Sequence, residues 1–147
     1  MSQSLAKVYL HLVFSTKERM KLITPNIETR LHNYMSSIGN KIGCPVHQIG
    51  GTEDHVHILL EQSRNVTIAK LLETIKANSS RWIKNECKHF SWQSGYGAFS
   101  IDQKTYEGVK KYIINQKIHH QKRTFKEEFL LLLKRANIPI DERYLWN

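Results

Sequence analysis

The sequence predicts an α+β fold in which an antiparallel sheet is laid down in the order β-α-β-β-α-β and two further helices follow. Three observations predict it. Apolar and polar residues alternate with period two at 8–14 and 54–61, and two long stretches with apolar residues at helical spacing separate the strand-like runs. Beyond residue 102 only helical patterning remains.

In the first run, VYLHLVF at 8–14, Val8, Leu10, Leu12 and Phe14 share one face and Tyr9, His11 and Val13 the other. Thr24 followed by Pro25 reads as an N-cap and first-turn proline. Ile27, Leu31, Tyr34, Met35, Ile38 and Ile42 then recur at helical spacing until Gly43 ends the run. Residues 45–50 and 54–61, separated by Gly51, Thr52 and Glu53, read as a hairpin. After Asn65 a second amphipathic helix is marked by Ile68, Leu71, Leu72, Ile75, Trp82 and Ile83, with Trp82 expected in the core. Residues 92–101 return to strand character, with Gly95-Tyr96-Gly97 as a strand irregularity. Asp102 is placed to cap a third helix over 103–121, and 124–135 form a short amphipathic helix before Pro139. The first six elements are the signature of a ferredoxin-like split βαβ unit, with helices on one face of the sheet. The two extra helices must cover or extend the other face.

A chain of 147 residues suits one domain, here 1–147. Its 40% hydrophobic and 24% charged content argues for a globular chain rather than a disordered one. The formal charge of +9 makes a polyanion the natural partner. The surplus lies entirely within 1–125, and 104–123 holds six bases against the single acid Glu107. That segment is either a phosphate-binding face or a solvated helix face. Cys44 and Cys87 lie far apart with no C-x-x-C, which excludes a disulfide scaffold and a cysteine-based zinc ribbon. The longest apolar stretch near the start, Val8 to Phe14, is too short for a signal peptide or membrane span, so a cytoplasmic protein without membrane association is expected. No G-x-x-x-x-G-K-[ST] loop is present, so no nucleotide cofactor is expected.

Within DHVHILLE at 54–61, His55, His57, Leu59 and Glu61 share one side of the strand and Val56, Ile58 and Leu60 the other. With the apolar side against the first two helices, both imidazoles project from the free face, as two adjacent metal ligands must. A pair of half-exposed polar residues is the other reading of H-x-H. Tyr112 and Gln116, four apart on the third helix, point at a common site. Taken alone, that pair equally fits a packing tyrosine.

Taken jointly, HLVFSTKER near the start, HVHILLE at 55–61, WQSGYGAFSI at 92–101, YIINQ at 112–116 and the ending DERYLWN resemble the single-tyrosine HUH transposases of the IS200-like group, over nearly the whole chain. These enzymes move insertion sequences through single-stranded DNA. The resemblance implies that Tyr112 is the nucleophile, that His55 and His57 ligate a divalent cation, Mg²⁺ or Mn²⁺, and that Gln116 completes the ligand set. A metal with open positions withdraws charge from a scissile phosphate and stabilises the departing 3′ oxygen. A phenolic nucleophile stores the cleaved bond as a 5′-phosphotyrosine ester, so rejoining needs no energy source. A free phenol ionises near pH 10, so the site must assist its deprotonation. His11, His119 and His120 are positional candidates for that role, and Glu61 could orient a ligand or simply sit in solvent.

The expected partner is single-stranded DNA with a hairpin, met by Lys17 and Arg19 after the first strand and by Lys110, Lys111, Lys117, Lys122 and Arg123 around the nucleophile. Trp92 or Tyr96 could stack unpaired bases. The family resemblance further implies a homodimer. Two rival readings remain open: a domesticated relative similar to the REP-associated tyrosine transposases, acting on chromosomal palindromes, and a non-catalytic ferredoxin-like nucleic-acid-binding module.

Overall fold

Strand β1 (Tyr9–Ser15) places Leu10, Leu12 and Phe14 on one face of the sheet and Tyr9, His11 and Val13 on the other, as its alternation predicts. The computed structural model describes residues 2–147. Three further strands, β2 (Val46–Thr52), β3 (His55–Glu61) and β4 (Gly97–Ile101), complete a sheet in the order β2-β3-β1-β4, antiparallel throughout. Helices α1 (Pro25–Lys41) and α2 (Ile68–Ile83) cover one face. There Leu10, Leu12, Phe14, Val56, Ile58 and Leu60 meet Leu31, Met35, Leu71 and Ile75 in the main core. Truncating one such buried leucine or isoleucine to alanine costs about 2–5 kcal/mol. Tyr34 and Trp82, both half-buried, stack in parallel at the edge of this core with centroids 4.5 Å apart.

The expected hairpin forms, but β2 runs on through Gly50 and Gly51 to Thr52 and leaves Glu53 and Asp54 as the turn. Glycine is what permits this. A Cβ at Gly50 would lie 2.4 Å from the carbonyl oxygen of Ile113, so only a residue without a side chain lets the next helix layer rest on the strand. The predicted strand over 92–101 shortens to β4. Trp92 only bridges Thr16, its ring is buried against Phe14 and Phe90, and its indole N–H donates to Ser79 Oγ at 3.0 Å. The Ser94 and Gly95 carbonyls turn away to accept hydrogen bonds from Lys76 Nζ at 3.2 and 3.1 Å, which interrupts the extended run.

The single helix expected over 103–121 is two. Asp102 accepts from the Thr105 N–H at 2.8 Å and sets the turn before α3 (Tyr106–Ile114). Asn115 (φ −94°, ψ 20°) breaks the line, and α4 (Gln116–His119) follows. Helix α5 (Phe125–Arg135) begins with a capping box in which Thr124 and Glu127 satisfy each other's backbone N–H groups. A final turn, α6 (Glu142–Leu145), follows. Helices α3 and α5 cover the second face, as expected of the two extra helices. α3 packs Ile113, with Tyr106 and Val109, on Tyr9 and Leu59, and α5 packs Phe125, Phe129 and Leu133 on Val13. Between these two small apolar clusters lies a polar gap. No helix among the described residues is long and apolar enough to cross a membrane.

Candidate active site

The gap is built by register. β3 sets His55 opposite Ser15 and His57 opposite Val13, and both imidazoles stand on the face shared with His11. They are 0% exposed rather than solvent-facing, because α4 and α5 lie across them. From α3 comes Tyr112, whose ring meets the His57 ring edge-on at 5.7 Å. The break at Asn115 turns Gln116 inward, where it is 1% exposed with Oε1 at 2.8 Å from His55 Nε2. The structure thus brings His55, His57, Tyr112 and Gln116 of one chain together.

At their centre stands a carboxylate. Glu128 of α5, 1% exposed, has Oε1 at 2.9 Å from His57 Nε2, 3.0 Å from His120 Nε2 and 3.6 Å from His55 Nε2. Its Oε2 accepts hydrogen bonds from the Tyr112 hydroxyl and, at 3.1 Å, from Gln116 Nε2. Contacts to the outer ring nitrogens fix the rings. His57 Nδ1 lies 2.7 Å from His11 Nε2, and His55 Nδ1 lies 2.7 Å from Asp54 Oδ1, with Thr52 Oγ1 also at 3.0 Å.

Burial governs the protonation states. It pushes the His57 imidazole down to about 4, against the pull of the Glu128 carboxylate. Burial and the neighbouring His57 together push His11 down to about 3. Burial alone would raise Glu128, but hydrogen bonds from His120 and His57 hold it well below the usual carboxylate range. Burial and the Glu128 hydrogen bond push the Tyr112 phenol well above its ordinary value, so the resting site keeps the hydroxyl protonated.

The donor set fits a divalent cation. When His55 Nδ1–H donates to Asp54, its Nε2 presents a lone pair to Gln116 Oε1, whose orientation is fixed because the amide Nε2 donates to Glu128. Two lone pairs facing each other at 2.8 Å call for a proton or a cation between or beside them. Ligand atoms of His55, His57, His120 and Glu128 all lie within 4.8 Å of one another. Imidazoles with an amide oxygen and a carboxylate suit Mg²⁺ or Mn²⁺ better than imidazoles alone.

Of the seven basic residues expected at the DNA, Lys117, Lys122 and Arg123 line one cleft together with Glu28, Glu53, Asp54 and Glu127. Lys117 pairs with Glu28 at 2.6 Å, and Arg19 stacks over Trp146 with its guanidinium carbon 5.3 Å from the ring centre. Lys17, Lys111, Lys122 and Arg123 are exposed, and Lys110 is half-buried. Trp92 belongs to the core, which removes it as a base-stacking platform, whereas Tyr96 stays 37% exposed. Glu61 lies away from the imidazole cluster, paired with His47 at 3.0 Å. His119 stacks on Tyr112 at 4.8 Å. Sequence reasoning missed Glu128 altogether and left His120 as a positional candidate for a proton acceptor. The available signal was a glutamate set among Phe125, Phe129 and Leu132 on the apolar stripe of α5, where a charge needs a buried partner.

Compared with known proteins, residues 4–116 match the family model described as "Transposase IS200 like". No curated protein matches the chain. Among solved structures, a Deinococcus radiodurans protein described as a candidate transposase superposes with a TM-score of 0.64 at 21% identity, covering 79% of this chain and 98% of that one. A REP-associated tyrosine transposase bound to a REP hairpin superposes with a TM-score of 0.61 at 14% identity, covering 82% of this chain and 73% of that one. At these identities the structural likeness speaks for the fold.

Proposed function

The chain belongs to the IS200-like transposase family, and from that premise we propose that it cleaves and rejoins single-stranded DNA at insertion-sequence ends through a 5′-phosphotyrosine intermediate. The observation that carries this reading is the convergence of the Tyr112 hydroxyl with His55, His57, Gln116 and Glu128 in one buried cluster.

In the proposed step the Tyr112 oxygen attacks the scissile phosphorus, and the phenolic proton passes to Glu128 Oε2, which already accepts its hydrogen bond. The bond from phosphorus to the 3′ oxygen breaks with its electron pair staying on that oxygen, which takes a proton from water. One phosphate diester replaces another, so a later 3′ hydroxyl can reverse the exchange. A divalent ion held by His55, His57 and Gln116, with Glu128 at hand, would withdraw charge from the phosphate and stabilise the departing oxygen. His11 and Asp54 hold the two imidazoles in place through their outer nitrogens.

The DNA substrate is proposed to be hairpin-bearing, and the compartment cytoplasmic, in keeping with two free cysteines, Cys44 and Cys87. The working unit is proposed as a homodimer. Since Tyr112 meets the His pair of its own chain, each copy holds a full residue set. Mixing Tyr112→Phe with His57→Ala chains should therefore leave the pair inactive, and restored activity would mean that sites are shared. The central test incubates the protein and Mn²⁺ with labelled oligonucleotides from both ends of its own gene. A denaturation-resistant adduct that disappears in Tyr112→Phe is expected. An adduct that persists in that variant, or none with any divalent ion, refutes the assignment.

A further inference from the structure

A cleft of about 960 Å³ opens between α3, β4 and the C-terminal half of α5, and both buried His11 and half-buried Tyr112 line it, so it reaches the proposed nucleophile. Resting on the function proposed above, we propose that this cleft receives an unpaired nucleotide next to the scissile phosphate. Lys104 and Arg135 would meet its phosphates and Phe99 its base.

Three observations support the assignment. The first is charge. Lys104 and Arg135 are the only Lys, Arg, Asp or Glu residues lining the cleft, and neither joins an ion pair among the described residues. The other large cleft beside the site, about 560 Å³, carries Lys21, Lys117, Lys122 and Arg123 but also Glu28, Glu53, Asp54 and Glu127. Lys117 there is already engaged by Glu28. A polyanion is better received where the cations are unopposed.

The second is shape. Gly108 sits within α3, where glycine weakens a helix, yet a Cβ there would find no atom within 4 Å. No packing inside this chain requires the missing side chain. Its absence keeps the wall of the cleft clear for something that comes from outside. The third is surface chemistry. Phe99 is half-buried with its ring 6.1 Å from that of His11, and Val109, Leu132 and Ile138 add apolar wall. An aromatic face beside unopposed cations is how single strands are held without base pairing. The volume is that of a small-molecule site rather than a duplex groove.

The test uses the full chain and a fluorescein-labelled oligothymidylate of about 20 nucleotides, followed by anisotropy across a salt series. Gly108→Leu should melt no lower than the parent, since leucine favours the helix, and should bind about ten-fold more weakly because the cleft is filled. Lys104→Ala combined with Arg135→Ala should make the log-log salt slope shallower by about 1.4, two phosphates' worth. Lys41→Ala with Lys70→Ala, on the two helices that cover the opposite face of the sheet, should leave it nearly unchanged. Crosslinking with a 4-thiothymidine version of the same strand should label the segment from Ala98 to Tyr112. Parental binding in Gly108→Leu, an unchanged slope in the Lys104/Arg135 variant, or crosslinks confined to the Lys122–Arg123 side would each overturn the proposal. Binding needs no cleavage, so the two readings fail separately. A parent that forms the Tyr112 adduct while Gly108→Leu binds normally sinks the cleft alone. Loss of binding in Gly108→Leu without any parental adduct sinks the strand-transfer chemistry and leaves the cleft.

Discussion

Replacing Gly50 by alanine should disable the site from beneath. The added Cβ would fall 2.4 Å from the Ile113 carbonyl oxygen and 3.1 Å from its Cγ2, whereas ordinary contact begins at 3.4 Å. Helix α3 must therefore rise from β2 by about 1 Å, because the obstructing atom is backbone rather than the end of a flexible side chain. Ile113 directly follows Tyr112, and Gln116 lies three residues on, so both move with it. A 2.8 Å contact between His55 Nε2 and Gln116 Oε1 stretched by that amount no longer lets the two atoms share a proton. Overpacking of this kind costs about 1–3 kcal/mol of stability, and a misplacement of about 1 Å at a reacting group costs on the order of 100-fold in rate. Single-turnover adduct formation read on a denaturing gel, alongside thermal unfolding by circular dichroism, measures both. For the unfolding measurement Gly108→Ala supplies the control for loss of glycine alone, since its Cβ meets nothing and should stabilise α3 by up to about 1 kcal/mol. A Gly50→Ala protein that forms adduct at the parental rate would refute the claim that this strand–helix contact positions the nucleophile.

Acid should destabilise the fold well above the carboxylate range. His57 and His11 are pushed down to about 4 and about 3, whereas an unfolded chain takes up protons near 6.5, so their contribution is intact above that pH and is lost as pH falls. At pH 4.5 the loss relative to pH 7 is about 2–3 kcal/mol for each, and urea unfolding that gives equal stability at the two pH values would contradict their neutral burial. Glu128→Gln should weaken Mn²⁺ binding about 10–100-fold in a spectroscopic titration, and unchanged affinity would remove the carboxylate from the metal's surroundings. Tyr106→Phe should lower stability by about 1 kcal/mol, because the Tyr106 hydroxyl lies 2.6 Å from His47 Nδ1, whose other nitrogen reaches Glu61 at 3.0 Å. An unaltered melting curve would mean that this chain of bonds does not anchor the start of α3.

Strand alternation and helical spacing were enough to place β1, α1, β3 and α2, since each depends on local apolar periodicity. What failed depended on tertiary contacts. The extended reading of 92–96 gave way because Lys76 claims two carbonyls there and the core claims the Trp92 ring. The long third helix broke where Gln116 turns toward His55. His55, His57, Tyr112 and Gln116 were legible as residues with recognisable spacing, and the structure brings them together. Their burial was not legible, because it follows from where α5 lies. Glu128 was hidden for the same reason, since nothing in TFKEEFLLLL says which glutamate faces inward until the helix is docked by Phe125 and Phe129.

The match to the family model ends at residue 116, yet the geometry of the site continues past it. Glu128 and His120 both lie in the remaining stretch, and both are within hydrogen-bonding reach of the imidazole cluster. A buried carboxylate with four donors around it is tolerable only while all of them stay in place, since removing one partner of such a group exposes the full desolvation cost of the rest. Helix α5 is held to the sheet both by Phe125, Phe129 and Leu133 packed on Val13 and by the polar contacts made through Glu128. The position of α5 and the state of the imidazole cluster are thus one problem in energetics. Anything that competes for Glu128, a cation included, acts at once on the hydrogen bond of Tyr112 and on the helix that closes the second face.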